Sequence, residues 1–132
     1  MIKWGIIGLG NMGQKFTNAI KETSNSKIIG VASLDKNKIK NFKDNYNLNE
    51  VTFYNNYDEI IKDKNINAIY IATLNNTHFE LIKKCSENNK NILCEKPFTL
   101  NYDEGREVYD YITKNRIIFY EGFAYRSHPQ TK

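Results

Sequence analysis

The sequence has few residues of the kinds that mark secreted, membrane or metal-binding proteins. Its 132 residues include only two cysteines, two prolines and two histidines. Cys85 and Cys94 have no histidine at ligand spacing, so they predict neither a metal site nor a disulfide framework, and we expect a cytoplasmic protein. No apolar run approaches the roughly 20 residues of a membrane-spanning helix. The apolar N-terminus leads into glycines and not into a cleavage site, which argues against a signal peptide.

A strong charge of one sign is also missing. The 19 basic and 15 acidic residues give a net charge of +4. The lysines are scattered along the chain and form no stripe interleaved with aromatic residues, so we expect neither nucleic acid nor a membrane as a partner. With 40% hydrophobic and 26% charged residues, the composition is typical of one globular domain.

Short apolar runs alternate about six times with segments of helical periodicity. The runs that predict strands are 2–7, 27–33, 51–54, 66–72, 91–94 and 117–120. Four residues stand at predicted helix N-caps, and the last three are followed three positions later by a glutamate: Asp35, Asn56, Thr77 and Asn101. This alternation predicts an α/β fold, a Rossmann-type doubly wound parallel sheet of about six strands with helices on both faces.

A glycine-rich motif, G-x-G-x-x-G, follows the first predicted strand at Gly8, Gly10 and Gly13. In a dinucleotide-binding unit the first glycine allows a tight turn, the second lets the backbone approach a pyrophosphate, and the third lets the helix pack near the strand. We therefore expect these glycines, with the backbone N–H groups of Asn11 and Met12, to bind a dinucleotide cofactor. The alternative is a turn that needs glycine for its conformation alone.

The end of the second strand is expected to contact the adenosine ribose through Ser33, Leu34 and Asp35. An acidic residue about 20 positions after the glycine motif binds the ribose hydroxyls of NAD, and Asp35 lies close to that position. The same residue is an equally good helix N-cap. Lys36 and Lys38 lie close enough to meet the 2′-phosphate of NADP instead, so the choice between NAD and NADP stays open.

Four motifs in a fixed order carry a resemblance to a known family. They are GLGNMG at 8–13, ATLNNTH at 72–78, CEKPF at 94–98 and EGFAYRSHPQ at 121–130. Over the whole chain they resemble the glucose-fructose oxidoreductase/inositol dehydrogenase/MocA-like (Gfo/Idh/MocA) family. The resemblance implies that residues 1–122 form the NAD(P)-binding Rossmann domain and that 123–132 begin a junction to a C-terminal α/β substrate domain, which is absent from the sequence.

The resemblance also implies the roles of individual residues. Lys96 is expected to lie beside the nicotinamide and the reacting hydroxyl or carbonyl as the catalytic residue. A lysine at the carboxyl end of a parallel strand can polarise a carbonyl oxygen or stabilise an alkoxide. Glu95 is expected to bond the cofactor or to hold Lys96 in place. Further cofactor contacts are expected from Thr73, Leu74, Asn75, His78 and Arg126.

Three of these positions carry a second interpretation. Leu74 replaces the proline that is common in the family at that point of the loop. His78 falls in the first turn of a helix, where the dipole disfavours a charged imidazole, so a neutral structural role is expected beside the cofactor-side one. Arg126, with His128, either touches the cofactor or braces the junction between domains.

By resemblance, the function expected is hydride transfer between NAD(P) and a sugar, polyol or related hydroxyl or carbonyl substrate. These 132 residues are expected to bind cofactor with little or no turnover, because most substrate contacts and any homo-oligomer would use the absent domain. One alternative is a non-catalytic NAD(P)-binding sensor, against which the intact Glu95–Lys96–Pro97 motif argues. A second is an interaction fragment that associates through its junction surface.

Overall fold

The computed structural model describes residues 1–48 and 50–131, which form one α/β unit. The strands are β1 (Ile2–Ile7), β2 (Ser26–Ala32), β3 (Thr52–Tyr54), β4 (Ala68–Ile71), β5 (Asn91–Cys94) and β6 (Phe119–Glu121). The helices are α1 (Asn11–Lys21), α2 (Lys36–Asn45), α3 (Tyr57–Lys62), α4 (His78–Glu87) and α5 (Tyr102–Asn115). Short 3₁₀ turns cover Asn75–Thr77, Ala124–Ser127 and Pro129–Thr131.

The described strands form a single parallel sheet in the order β3-β2-β1-β4-β5-β6. This is the strand order of a doubly wound dinucleotide-binding fold. The predicted fold class is therefore confirmed. In such a sheet all carboxyl ends of the strands lie at one edge, so the loops after β1, β2, β4 and β5 meet there.

Strand bounds agree with the prediction for β1 and β5 and shift by one or two residues elsewhere. Two asparagines account for the later starts of β4 and β6. The Lys3 N–H donates to Asn67 Oδ1 at 3.0 Å, and the Ile118 N–H donates to Asn91 Oδ1 at 2.9 Å. A side-chain acceptor thus replaces the backbone acceptor at the beginning of each strand pair, which an apolar run cannot predict.

Each face of the sheet packs its own core. Neighbouring side chains of a strand point to opposite faces, so Ile6 and Ile7 enter different clusters although both are completely buried. The larger cluster lies under α3, α4 and α5 and includes Ile7, Ile60, Ile69, Ile71, Ile82 and Val108. The smaller one lies under α1 and α2 and includes Ile6, Val31, Ile39, Phe42, Tyr46 and Tyr70. The predicted inner face of α2, Ile39, Phe42 and Tyr46, is confirmed.

The α1 side of the sheet is not fully covered toward β4, β5 and β6. Two grooves of about 420 and 470 Å³ open there. Leu93 and Tyr120 line both, so the grooves adjoin. Trp4 lines the larger groove, and its buried Nε1–H has no hydrogen-bond partner among the described residues. An apolar surface is therefore left exposed on this face of the sheet, from the amino ends of β1, β4 and β5 to Glu95.

Helices α2, α3, α4 and α5 start at the four predicted N-cap residues, and three of these side chains make the cap hydrogen bond. Asp35, Asn56 and Asn101 accept backbone N–H groups of α2, α3 and α5. Thr77 is the N-cap of α4, but the side-chain bond of the predicted capping box is not formed. The Thr77 hydroxyl instead donates to the Leu74 carbonyl at 2.7 Å, within the 3₁₀ turn that precedes α4. In the part of the chain that the structure describes, every helix is too short or too polar to cross a membrane.

Candidate functional site

The glycine motif forms the tight connection between β1 and α1. Gly8 has φ +99°, a region that other residues rarely adopt, and a Cβ there would collide with the Ala72 carbonyl of β4's loop. A Cβ on Gly13 would collide with the Gly8 carbonyl oxygen. Both positions therefore require glycine for close backbone packing.

Gly10 differs from these two glycines because a Cβ built on it meets nothing within 4 Å. It is the N-cap of α1, and the structure places no side chain there to accept the N–H groups of the first turn. The first turn also carries no acidic residue. An N-cap with no side chain to fill the space beside it, and with no side-chain cap on the first-turn N–H groups in the described part of the chain, suits an anionic group such as a pyrophosphate, so the residues present fit a dinucleotide.

Seven of the predicted cofactor residues line one cavity of about 310 Å³ at the carboxyl edge of the sheet. They are Gly8, Gly10, Ser33, Leu34, Asp35, Thr73 and Leu74. Lys38 and Tyr57 complete its polar lining. The structure thus joins the ends of β1, β2 and β4 into a single opening.

Asp35 acts as the N-cap of α2 within this cavity. Its Oδ1 accepts the N–H groups of Asn37 at 2.9 Å and Lys38 at 3.3 Å. Ser33 precedes it, is 5% exposed, and accepts the Asp35 N–H with its hydroxyl oxygen at 3.1 Å. The second interpretation of Asp35, as a helix cap, is therefore present in the structure.

His78 is fully buried and contacts two loops of the site. Its Nδ1 lies 2.8 Å from the Pro97 carbonyl oxygen and its Nε2 lies 3.2 Å from the Thr73 carbonyl oxygen. A neutral ring carries one N–H, and the shorter contact assigns it to Nδ1 and the Pro97 oxygen, so the ring bonds the loop after β5 and packs against the loop after β4. This is the structural role that the sequence offered beside the cofactor-side one. Asn75, in contrast, is exposed on the 3₁₀ turn before α4.

The loop after β5 holds Lys96 between fixed neighbours. Before it, Glu95 accepts a hydrogen bond of 2.6 Å from the Tyr70 hydroxyl. After it, Pro97 is bonded by His78, and the Phe98 N–H donates to Glu121 Oε1 at 3.1 Å. The Lys96 side chain itself is exposed and has no hydrogen-bond partner among the described residues. The fold therefore presents a free ammonium group from a restrained loop.

Tyr70 and Glu121 were not predicted from the sequence. Tyr70 is buried on β4, where its ring stacks on Phe16 with centroids 4.2 Å apart. Burial and the Glu95 carboxylate raise the pKa of its phenol, so the hydroxyl stays protonated as a donor. Glu121 opens the 121–130 motif, but no local pattern shows what either residue bonds, because each meets its partner across more than 20 positions of sequence.

The remaining predicted residues lie around the cavity but not in it. Met12 and Glu95 line the neighbouring groove of about 420 Å³. Arg126 and His128 are exposed in and after the 3₁₀ turn that follows β6, and the Arg126 guanidinium lies 5.2 Å from the centre of the Phe123 ring.

The two cysteines belong to the core. Both are buried free thiols, and burial raises the pKa of Cys85 to about 12. Because its thiol is also buried, Cys94 packs as a small apolar residue of β5, as predicted. Among residues 1–48 and 50–131, no three histidine, cysteine or acidic side chains are grouped so that they could hold a metal ion.

Comparison with known proteins gives matches along almost the whole chain. Residues 2–123 match the model of the GFO_IDH_MocA oxidoreductase family, described as an NAD-binding Rossmann fold. Trans-1,2-dihydrobenzene-1,2-diol dehydrogenase of Xenopus tropicalis is 32% identical over 129 residues, which are 96% of this chain and 38% of that protein. D-xylose 1-dehydrogenase (NADP(+)) 2 of Haloferax volcanii is 29% identical over 98% of this chain and 39% of its own length.

A solved structure gives the same result for the fold. Myo-inositol 2-dehydrogenase of Lactobacillus plantarum superposes with a TM-score of 0.86 at 29% identity, covering 97% of this chain and 38% of that one. The chain thus spans less than two-fifths of the length of these relatives. Strand order, glycine geometry and the family match agree, and the chain belongs to the GFO_IDH_MocA family of oxidoreductases as an NAD(P)-binding Rossmann domain.

Proposed function

We propose that this chain is the cofactor-binding part of a dehydrogenase or reductase that acts on a hydroxyl or carbonyl of a sugar, polyol or related small molecule. The observation that carries this proposal is the open space at Gly10 in front of the uncapped first turn of α1. The relatives named as dehydrogenases of a dihydrodiol, xylose and inositol support the substrate class.

In this proposal, different residues of the carboxyl edge bind different parts of the cofactor. Backbone N–H groups of Asn11 and Met12 face the pyrophosphate, and the cavity lined by Ser33, Leu34 and Asp35 receives the adenosine ribose. Thr73 and Leu74 form the wall on the β4 side. When bound, the nicotinamide supplies or accepts the hydride.

Lys96 is the proposed catalytic residue. Its ammonium can donate a hydrogen bond to a carbonyl oxygen, and its Nζ can exchange a proton with a substrate hydroxyl. Both roles need a group whose backbone does not move, and the bonds at Glu95, Pro97 and Phe98 restrain the loop on both sides of it. We propose that these contacts position Lys96, while its exposed side chain reaches the substrate.

We further propose that residues 1–122 bind cofactor and that 123–132 begin a domain junction. The last strand ends at Glu121, and the residues from 124 to 131 are exposed 3₁₀ turns. With no second wall to exclude water and orient a hydroxyl, the 132-residue chain is expected to turn over little. Rapid formation of reduced cofactor from inositol or xylose by this chain alone would contradict that expectation.

Substitution of Gly10 by alanine tests the cofactor site without disturbing the fold. The added methyl meets no protein atom within 4 Å and the residue has φ −78°, so the fold should be kept, with a small loss of thermal stability because alanine is a poorer N-cap than glycine. A pyrophosphate close to the backbone would collide with the methyl. We expect NADH and NADPH affinities, measured by calorimetry and by energy transfer from Trp4, to fall by about tenfold or more.

Gly105→Ala is the matched control. Gly105 lies near the start of α5 and outside the nucleotide cavity, and a Cβ there meets Thr99 and Phe98 only at the ordinary contact distances of 3.5 and 3.8 Å. This variant should bind both nucleotides as the parent chain does. If the parent chain binds neither, or if Gly10→Ala binds as tightly as the parent, the proposed pyrophosphate site is wrong.

A further inference from the structure

The cavity at the end of β2 contains the features that distinguish NADP from NAD. In NAD-binding domains, an acidic side chain after this strand accepts hydrogen bonds from the adenosine ribose hydroxyls, whereas NADP carries a 2′-phosphate at the same point. The acidic residue available here is Asp35. Its position, its partners and its neighbours therefore decide which cofactor fits.

One oxygen of Asp35 is engaged by α2. Its Oδ1 accepts two backbone N–H groups, from Asn37 at 2.9 Å and from Lys38 at 3.3 Å. Oδ2 keeps its acceptor sites, so Asp35 offers two ribose hydroxyls fewer free acceptor sites than an unbonded carboxylate does. The helix also offsets its negative charge, because the N-terminus of α2 carries the positive end of the helix dipole.

Ser33 occupies the position directly after β2, where it lines the cavity. It is 5% exposed, and its oxygen accepts the Asp35 N–H at 3.1 Å. Its hydroxyl proton has no acceptor among the described residues. A serine in this arrangement presents a donor to the cavity, and a phosphate group is rich in acceptors.

Lys38 is the single cationic side chain that lines this cavity in the described part of the chain. It stands in the first turn of α2, and its side chain is exposed. The segment 35–43 contains four lysines and one aspartate. The local field therefore favours an added negative group at the cavity mouth, and least so at high salt.

We propose that the cavity selects NADP(H) over NAD(H), with the Lys38 ammonium pairing with the 2′-phosphate and the Ser33 hydroxyl donating to it. The inference rests on the proposed function, because it assigns a cofactor to the same site. The name of the Haloferax volcanii relative includes NADP(+), which is in line with this choice.

Parallel calorimetric titrations of the 132-residue chain with NADPH and NADH test the inference. We expect NADPH to bind about tenfold or more tightly, and the difference to shrink as salt is raised. Lys38→Gln should lower NADPH affinity by about tenfold and NADH affinity much less. Lys40→Gln is the control, because Lys40 lies on the same helix and is exposed but does not line the cavity.

Asp35→Asn separates the two roles of that residue, since an amide oxygen can still cap α2. The proposal expects NADPH to bind more tightly to this variant and NADH to bind no more weakly. Tighter binding of NADH than NADPH by the parent chain, or a loss of NADH affinity in Asp35→Asn, would overturn the NADP assignment and leave the dinucleotide site standing. Failure of both nucleotides to bind would overturn the proposed function and this assignment together.

Discussion

The hydrogen bond of 2.6 Å from the Tyr70 hydroxyl to Glu95 links an aromatic cluster to the loop that carries Lys96. Bonds from a hydroxyl to a carboxylate are short and stronger than neutral ones. The Tyr70 ring cannot turn away from Glu95, because it stacks on Phe16, whose ring in turn meets Trp4 edge-on at 5.1 Å. The orientation of Glu95, next to Lys96, thus depends on the packing of Tyr70 against Phe16 of α1 and Trp4 of β1.

Tyr70→Phe removes this bond and keeps the ring. We expect a loss of about 1–2 kcal/mol in the free energy of unfolding, measured in urea. Because Glu95 is then free to rotate, we also expect weaker binding of NADPH. Tyr54→Phe is the control, since the Tyr54 hydroxyl also donates to a carboxylate at 2.6 Å, that of Asp63, but not at the site. Equal cofactor affinity in the two variants would show that the Tyr70 bond is only structural.

The sequence predicts residues that line the candidate site, but it does not predict the residues that hydrogen-bond to them. The glycines, Ser33 and Asp35 follow from local spacing, whereas Glu95 and Lys96 were expected only because the motifs resemble those of the family. Tyr70 and Glu121 are 25 and 23 positions from the residues they bond, so their roles follow from strand pairing alone.

Among the secondary-structure elements, type and order were predictable and exact ends were not. Apolar runs identify β1 to β6, and side chains that accept N–H groups identify the starts of α2, α3 and α5. Thr77 stands at the N-cap of α4 as predicted, but its hydroxyl bonds within the preceding 3₁₀ turn and does not accept an N–H group of the helix. Which partner a hydroxyl chooses depends on distances that the sequence does not contain.

The turn between α3 and β4 joins three elements through Asp63. Its carboxylate accepts bonds from the Tyr54 hydroxyl of β3 and from the Asn65 N–H at 2.8 Å, and its carbonyl accepts one from Lys90 before β5. These donors, the Tyr54 hydroxyl first, lower the pKa of Asp63 below its ordinary 3.8. The charged carboxylate therefore stabilises the folded chain.

This shift predicts how stability depends on pH. The folded pKa lies below the unfolded one, so the contribution of Asp63 is complete above pH 3.8 and is lost as the pH falls through the folded value. In urea titrations at a series of acid pH values, Asp63→Asn should show a shallower loss of stability than the parent chain.

Asp58→Asn provides the comparison for Asp63. Asp58 pairs with Lys84 at 2.8 Å, but both side chains are about half exposed, at 56% and 47%. Water and salt screen such a pair. Its removal should therefore change the dependence of the free energy of unfolding on acid pH less than Asp63→Asn does. If Asp63→Asn follows the same curve as the parent chain, the bonds at this turn do not act through the carboxylate charge.

At the scale of the whole molecule, the protection of backbone amides against hydrogen exchange should decrease from the centre of the sheet outward. β1 is paired on both sides, with β2 and β4, and Ile6, Ile7, Ile69 and Ile71 are completely buried. β3 and β6 are edges of three residues each. We expect amide hydrogen exchange to be slowest in β1 and β4 and fastest in β6 and in 124–131. Equal protection across the sheet would indicate that the edges are covered in solution.

The strand order also has a consequence for synthesis on the ribosome. β1 emerges first, β2 joins one side of it and β3 adds beyond β2; β4 then joins the other side, followed outward by β5 and β6. Each strand arrives at an edge that is still free, so no strand has to be inserted between two that are already paired. The nascent sheet can therefore grow in the order of translation, without a finished pairing being undone.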